Sequence, residues 1–373
     1  MKIVVRRESF LKNISKIQGI VKESLEMPIL STVLVETFDK DIRITASNLE
    51  IQVQQRIEAE IIGKGVVAIL GKKLYEIIKA SNNSEISIEF VKDQNKVLIT
   101  DGRAKFKLTT IPSDEFPIIK EPPQFKSITI PAELLLEMIK KTIYVVPTHA
   151  VNINLTGIYI HRVKKEEEFL LKMVGTDGHR LSTISKPISG IKALDLEKGK
   201  LVPKEAILKI QKIIQEVDEV EIGFFEENMI IKTDNSMIII RLLQSKYPDY
   251  QKVIPKNPLY SFSIDRNLLL NAMKRMLIVG ESSYSAVNFA LGEDKLYLAS
   301  NDPNIGEVEE VLPIVYNGDE FNITFNAKYF IETLQVIKSE KVNIGLVEES
   351  RPCIIKGNTD PGFLALIMPM NRG

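Results

Sequence analysis

Apolar positions along the chain follow two periods in a fixed alternation. Short segments in which every second residue is apolar (KIVV, SITI and SFSI) each run into a stretch whose apolar residues recur three and four positions apart. The stretches are SFLKNISKIQGIV from Ser9, AELLLEMIKKTIYVV from Ala132 and DRNLLLNAMKRMLIV from Asp265. Phe10, Ile14, Ile17 and Val21 define one apolar face, and Leu269, Ala272, Met273 and Met276 another, so the pattern predicts helices over Glu8–Val21, Ala132–Val146 and Asp265–Val279. A second set, within AILGKKLYEIIKA, KLVPKEAILKIQKII and ITFNAKYFIETLQVIK, predicts helices over Gly71–Ala80, Pro203–Glu216 and Asn326–Ser339. Gly71, Pro203 and Asn326 stand where a cap or a first-turn proline belongs. The alternating strands EISIEF, EVEIGFF and KVNIGLV then lead into hairpins, with turns at Asp101-Gly102 in the first and around Gly357-Asn358 in the third.

Three features recurring in one order define an internal repeat. Equating Phe10, Leu134 and Leu268 gives offsets of 124 and 134 residues, and Leu74, Ala206 and Tyr329 give 132 and 123. The expected organisation is three similar α+β domains, 1–123, 124–257 and 258–373, each with two helices packed on antiparallel sheets, which suits a chain of 373 residues. The junctions FPIIKEPPQF (Phe116 to Phe125) and YPDYQKVIPKNPLY (Tyr247 to Tyr260) are rich in proline and read as stiff connectors.

Charge sharpens this picture. Lys plus Arg and Asp plus Glu both number 49, so bulk positive charge cannot drive binding to nucleic acid or membranes. The six predicted helices nevertheless hold fifteen basic residues and eight acidic ones, which leaves the rest of the chain with a matching acidic excess. Glu8, Glu133, Glu205 and Asp265 lie in first turns, where they offset the helix dipole. Lysine on a helix face neutralises phosphates without reading bases, which points to a weak, sequence-independent surface for duplex DNA. Lys72, Lys79, Lys140, Lys141, Lys204, Lys209, Lys274 and Arg275 are the candidates for that surface.

Chemistry-bearing motifs are sparse. The chain shows no phosphate-cradling loop, dinucleotide fingerprint or zinc-ligand spacing, so no metal or cofactor is expected. His149 and His179 stand apart from carboxylate clusters, and the single Cys, Cys353, reads as a small buried strand residue. That single Cys excludes an internal disulfide and fits a reducing cytoplasm, while charges interrupt the short apolar run at the N-terminus. No stretch reaches the roughly 18 apolar residues of a membrane helix. A hydrolase would have to use Asp177, His179 and Ser182, whose crowding disfavours triad geometry. The sharpest string is GTDGHRL, Gly175 to Leu181, which on its own terms is a polar hairpin turn.

TDGHRL in the middle repeat, YPDYQKVIP at its end, IMPMN near the C-terminus and the opening MKIVV with MPIL together resemble the bacterial DNA sliding clamps. These are the beta subunits of DNA polymerase III, and the resemblance spans the whole chain. It implies a non-enzymatic processivity factor. In that family two chains join head to tail into a ring around duplex DNA, with basic helices inside, and tether the replicative polymerase, and the resemblance implies the same here. It places Phe106 and Leu108 of the edge-like segment RAKFKLTTI against Ile278 and Val279 of the partner. It also implies one groove for short peptide motifs of the polymerase, the clamp loader, other polymerases and repair proteins. That groove comprises Leu155, Thr176, Gly178, His179, Arg180, Leu181, Pro248, Lys252, Val253, Pro352, Leu366, Met368, Pro369 and Met370. The chain departs from the family at Lys252, where Arg is common, and at Ser24, in a loop where the family carries a DNA-contacting Arg that the nearby Lys22 could replace. It also extends beyond MPM as Asn371-Arg372-Gly373. A hydrolase and a monomeric three-domain peptide-binding protein are the competing readings, and solution mass separates the second from a ring.

Overall fold

The computed structural model describes residues 1–21, 25–122, 124–148, 152–280 and 285–370. Lys22, Ser24, His149 and Asn371-Arg372-Gly373, singled out above, lie outside them. Among the described residues the α-helices are α1 (Arg7–Ile17), α2 (Gly71–Ala80), α3 (Ala132–Ile143), α4 (Lys204–Ile214), α5 (Arg266–Gly280) and α6 (Ala327–Val336). The expected faces are the buried ones. Phe10, Ile14 and Ile17 of α1, and Leu269, Ala272, Met273 and Met276 of α5, are fully enclosed. Most predicted helices ran a few residues too far at the C-terminal end, because Ile20, Val145, Val146 and Ile337 continue the apolar period after the last turn and are themselves buried. Asp265 and Asn326 cap α5 and α6, accepting from the backbone N–H of Leu268 (2.7 Å) and Lys328 (2.9 Å).

A device not read from the sequence recurs in the first and third repeats. Arg7 at the start of α1 donates from Nε to the Ile78 carbonyl at the end of α2 (3.1 Å). Arg266 at the start of α5 reaches the Leu334 carbonyl within the end of α6 (3.3 Å) and the Ser339 carbonyl beyond it (3.0 Å). Each arginine satisfies carbonyls that the helix end leaves open and sits at the negative end of a dipole.

The chain packs into two compact units, Met1–Glu133 with Leu208–Leu242, and Leu134–Ile207 with Leu243–Gly373. They divide the middle repeat, and sheet continuity is the reason. In the first unit one sheet of twelve strands carries the eight strands of the first repeat. Beyond them come Ser236–Arg241, Asn228–Lys232, Glu219–Phe225 and Ser127–Pro131 of the middle repeat. The joint is the strand Ile51–Gly63, where Ile51 faces Ile240 and Gln55 faces Ser236. Its first five residues are continuously buried, and the remainder is largely exposed in alternation, as expected where only one face is covered. Gln52 fixes the proline-rich connector there by two bonds to Ile119, accepting at 2.7 Å and donating at 3.0 Å.

The second unit repeats the device. A sheet of eight strands joins the middle repeat to the third by pairing Arg180–Pro187 with Phe363–Ile367, Leu181 opposite Leu366. A separate four-stranded sheet completes the third repeat over a core centred on Phe289, Phe325 and Phe330. The fold is α+β, as the alternation of periods predicts.

Candidate functional site: a peptide groove

The TDGHRL turn is built by its own side chains. It links the strands Glu168–Thr176 and Arg180–Pro187. Asp177 Oδ1 accepts from the N–H groups of His179 and Arg180, both at 2.9 Å, and Thr176 Oγ1 donates to the Arg180 carbonyl at 2.6 Å. Gly178 takes φ +90°, a left-handed conformation that costs glycine little. A Cβ there would lie 3.9 Å from Leu155 Cδ1, so Leu155 borders the turn.

The C-terminal segment runs beside this turn. The strand Phe363–Ile367 is nearly all buried, whereas Met368, Pro369 and Met370 are half-buried. The Met368 N–H donates to the His179 carbonyl and that of Met370 to the Thr324 carbonyl, both at 2.8 Å. Beneath lies an apolar floor of Val174, Leu181, Leu201, Tyr247, Tyr250, Ile354 and Leu366. Pro352 is buried just before the strand that pairs Ile354 with Leu366. A short helical turn, Tyr250–Val253, brings Val253 and Lys252 to the surface, with Pro248 exposed before it. Lys252 is solvated and ion-paired with Asp249 at 3.2 Å. In the second unit Leu155 therefore borders the turn, Met368 is bonded to it, and Leu181, Leu366 and Tyr250 share one apolar cluster, with His179 exposed.

Arg180 corrects one expectation. Expected to line the groove, it has a side chain only 9% exposed. It is ion-paired with Glu332 (2.5 Å) and Asp177 (3.0 Å), donates to the Tyr144 carbonyl, and lies over the Tyr329 ring at 4.4 Å. Burial opposes its charge, but Glu332 and Asp177 outweigh that and hold the guanidinium protonated beyond its usual range. Arg180 is a scaffold that fixes the turn against α6. Tyr329, Glu332 and Tyr144, which sequence reasoning missed, complete its setting. Only the repeat alignment, which placed Tyr329 at the start of a helix, gave any signal of them.

The hydrolase residues do not cooperate. Ser182 is fully buried with its hydroxyl donated to the Lys141 carbonyl, Asp177 is spent on the turn and Arg180, and His179 faces outward. Burial pushes the Cys353 thiol well above its ordinary pKa, which leaves a poor nucleophile.

Among the basic helix residues, Lys72, Lys79, Lys140, Lys274 and Arg275 are exposed. Lys204 and Lys209 are half-buried and donate to the carbonyls of Val146 and Gln18, and Arg275 is paired with Glu310 (2.8 Å). Lys141 must be withdrawn from the DNA-facing set. It is 1% exposed, bound to Asp360 and within 3.2 Å of Glu137. Successive helix residues point about 100° apart, and Lys141 falls on the side of α3 that buries Met138 and Thr142, whereas Lys140 points outward.

The proposed interface residues lie near open edges. The strand Ala104–Ile111 pairs with Lys96–Asp101 along its length but with Val66–Leu70 only at Thr110 and Ile111. Phe106 is exposed on it and Leu108 half-buried. In the second unit Gly306–Pro313 pairs with Lys295–Asp302 on one side and ends its sheet. Ile278 of α5 is 76% exposed and Val279 half-buried.

A threefold α+β repeat whose sheets run on from repeat to repeat, with a groove beside the C-terminal segment, defines a clamp-type protein. Three family models match in order. The N-terminal domain of the DNA polymerase III beta subunit matches residues 1–120, its central domain 129–249 and its C-terminal domain 251–371. The chain is 27% identical over 376 residues to the beta sliding clamp of Pseudomonas putida, covering 99% of this chain and all of the relative. It is 26% identical over 375 residues to that of Escherichia coli, with the same coverage. The structure of the Pseudomonas aeruginosa DNA polymerase III subunit beta superposes with TM-score 0.91 at 28% identity over all of both chains. A sliding clamp from Bartonella birtlesii, bound to griselimycin, gives 0.93 at 26% identity, over 100% of this chain and 99% of that one. The chain belongs to the family of bacterial DNA polymerase III beta subunits, the beta sliding clamps.

Proposed function

We propose that two copies of this chain close head to tail into a ring that encircles duplex DNA and tethers the replicative polymerase to it. The clamp loader, other polymerases and repair proteins use the same groove, each through a short, mainly extended peptide. The observation that carries this reading is the ordered match of all three domain models. The groove between the TDGHRL turn and Met368–Met370 supports it independently, because flexible Met and Leu suit a surface that repacks around several partners. Lys72, Lys79, Lys140, Lys274 and Arg275, together with the half-buried Lys204 and Lys209, supply mobile, sequence-independent phosphate contacts. The protein works in the cytoplasm without catalysis, metal or cofactor.

Two edges suit ring closure. Arg103, Lys105 and Lys107 lie on or beside one open strand, and Glu307, Glu309 and Glu310 lie on the other. An unpaired edge accepts an added strand, and a first-to-third contact is heterologous, so two copies close. Phe106 and Leu108 then meet Ile278 and Val279 of the second copy. Retention on DNA tests the function. Loaded on a nicked circle, the protein should resist a salt challenge that strips it from linear DNA, and it should be released when the circle is cut. Retention that survives cutting would overturn topological tethering.

A further inference from the structure

The wall of the groove rests on a polar bond set in apolar surroundings. His161, on the strand Gly157–Lys165, is 8% exposed, and its Nε2 lies 2.9 Å from the Tyr250 hydroxyl. Its ring stacks on Tyr159 (centroids 4.9 Å apart), and Tyr159 stacks on Tyr247 at 4.8 Å with the planes 5° apart. The Tyr247 hydroxyl donates to the Val174 carbonyl at 3.3 Å, and Lys172 lies across from His161 with Nζ 5.3 Å from the Tyr250 ring. Burial and the Lys172 charge hold His161 at about 4, so the ring is neutral near pH 7. A neutral imidazole offers one N–H and one bare nitrogen, and a phenol complements either.

Tyr250 opens the turn that carries Lys252 and Val253, which are themselves largely exposed. Under that turn the structure places Tyr250 and Ile254 in the apolar floor. Aromatic packing alone permits a tyrosine ring to slide. A buried hydroxyl that must keep its partner has one favoured position.

We propose that His161 is a positioning residue for the peptide groove: through its bond to Tyr250 it fixes the Pro248–Val253 wall in the geometry that an extended apolar peptide requires. The proposal rests on the groove reading above. A preordered wall spares the bound state the cost of ordering it, so the loss appears in affinity and mainly as faster dissociation.

The test uses the full chain and a fluorescein-labelled, mainly apolar decapeptide from the partner polymerase, read by anisotropy. His161→Phe and Tyr250→Phe should each weaken binding about tenfold, and the double variant should be no weaker than either single one. His161→Gln, whose amide reaches the phenol, should restore affinity to within about threefold of the unaltered chain, a rescue that mere filling of space does not predict. Val253→Asp tests the groove itself: if it leaves binding intact, the groove reading falls. If Val253→Asp abolishes binding while His161→Phe and Tyr250→Phe stay within about twofold of the unaltered chain, or their effects simply add, the positioning role is overturned and the groove stands. Tyr250→Phe removes one hydroxyl and keeps the ring, so it decides the matter even if His161→Phe unfolds.

Discussion

Lys141 and Asp360 are 219 residues apart, yet both side chains are 1% exposed and bonded to one another. Asp360 also accepts from the N–H groups of Lys338 (3.1 Å) and Ser339 (2.9 Å) and from the Ser339 hydroxyl. Burial by itself would raise the Asp360 pKa, but Lys141 and Ser339 outweigh it and hold the carboxyl at about 2. Its folded value lies below the ordinary one near 3.8, so its stabilisation is present above about pH 4 and lost as pH falls towards 2. Removing the Asp360 carboxylate leaves the buried Lys141 charge with Glu137 at 3.2 Å in place of two carboxylates. Asp360→Asn should therefore destabilise the chain by about 3–5 kcal/mol, and pairing it with Lys141→Met should recover part of that loss. Thermal unfolding of the three variants at pH 7 checks this, and an Asp360→Asn variant as stable as the parent would show that the pair contributes nothing. The same residue shows why the charge surplus on the helices overstated the DNA surface. A helix's lysine content does not separate outward from inward side chains, and Lys141 turns inward onto an aspartate that no local pattern connects to it.

The six helices and their buried faces were readable because amphipathic spacing is local. So was the TDGHRL turn, whose Asp, Gly and Thr each act on their own neighbours. The two sheet joints were not, since antiparallel pairing of Ile51–Gln55 with Ser236–Ile240, or of Arg180–Ile184 with Phe363–Ile367, leaves no mark in either segment. Nor were the Arg7 and Arg266 contacts, because arginine in a first turn reads as surface charge. The C-terminal strand stands between these cases. Its apolar run foretold burial, and Met368-Pro369-Met370 stood out as residues a chain end cannot bury completely. Met370 hangs from one backbone bond to Thr324, outside the ladder that holds Phe363–Ile367. Deleting Met370 and the residues after it should therefore weaken peptide binding at least about tenfold through lost apolar contact, and leave the oligomer unchanged. Anisotropy and light scattering on one preparation measure both, and undiminished affinity in an intact oligomer would remove Met370 from the groove.

The proposed ring closure makes the strongest demand on the molecule, because retention on DNA depends on it. The strand Ala104–Ile111 turns Phe106 and Leu108 to the face of its buried partners Ile99 and Val97, which leaves Lys105 and Lys107 on the opposite face. On Gly306–Pro313, Leu312 is buried and Glu310 bonds Arg275 of α5, so Glu307 and Glu309 share the other face. Antiparallel addition of one strand to the other in a second copy sets two lysines beside two glutamates, with the apolar residues meeting behind them. Exposed pairs contribute only about 0.2–1 kcal/mol each, but reversing one side converts attraction into repulsion at each contact. Lys105→Glu with Lys107→Glu should thus weaken association by roughly 30-fold or more, and Glu307→Lys with Glu309→Lys should do the same. Mixing the two variants restores both interfaces of a ring, one native and one with its charges exchanged, and placing all four changes in one chain also restores both. Light scattering at low micromolar concentration and moderate salt should give the parent chain twice the 42.2 kDa of one chain, each double variant close to one, and the fourfold variant twice again. The double variants should also lose retention on closed circular DNA while binding the labelled peptide as the parent does. Double variants that stay dimeric would exclude this pairing of edges, and a fourfold variant that stays monomeric would exclude charge as its guide.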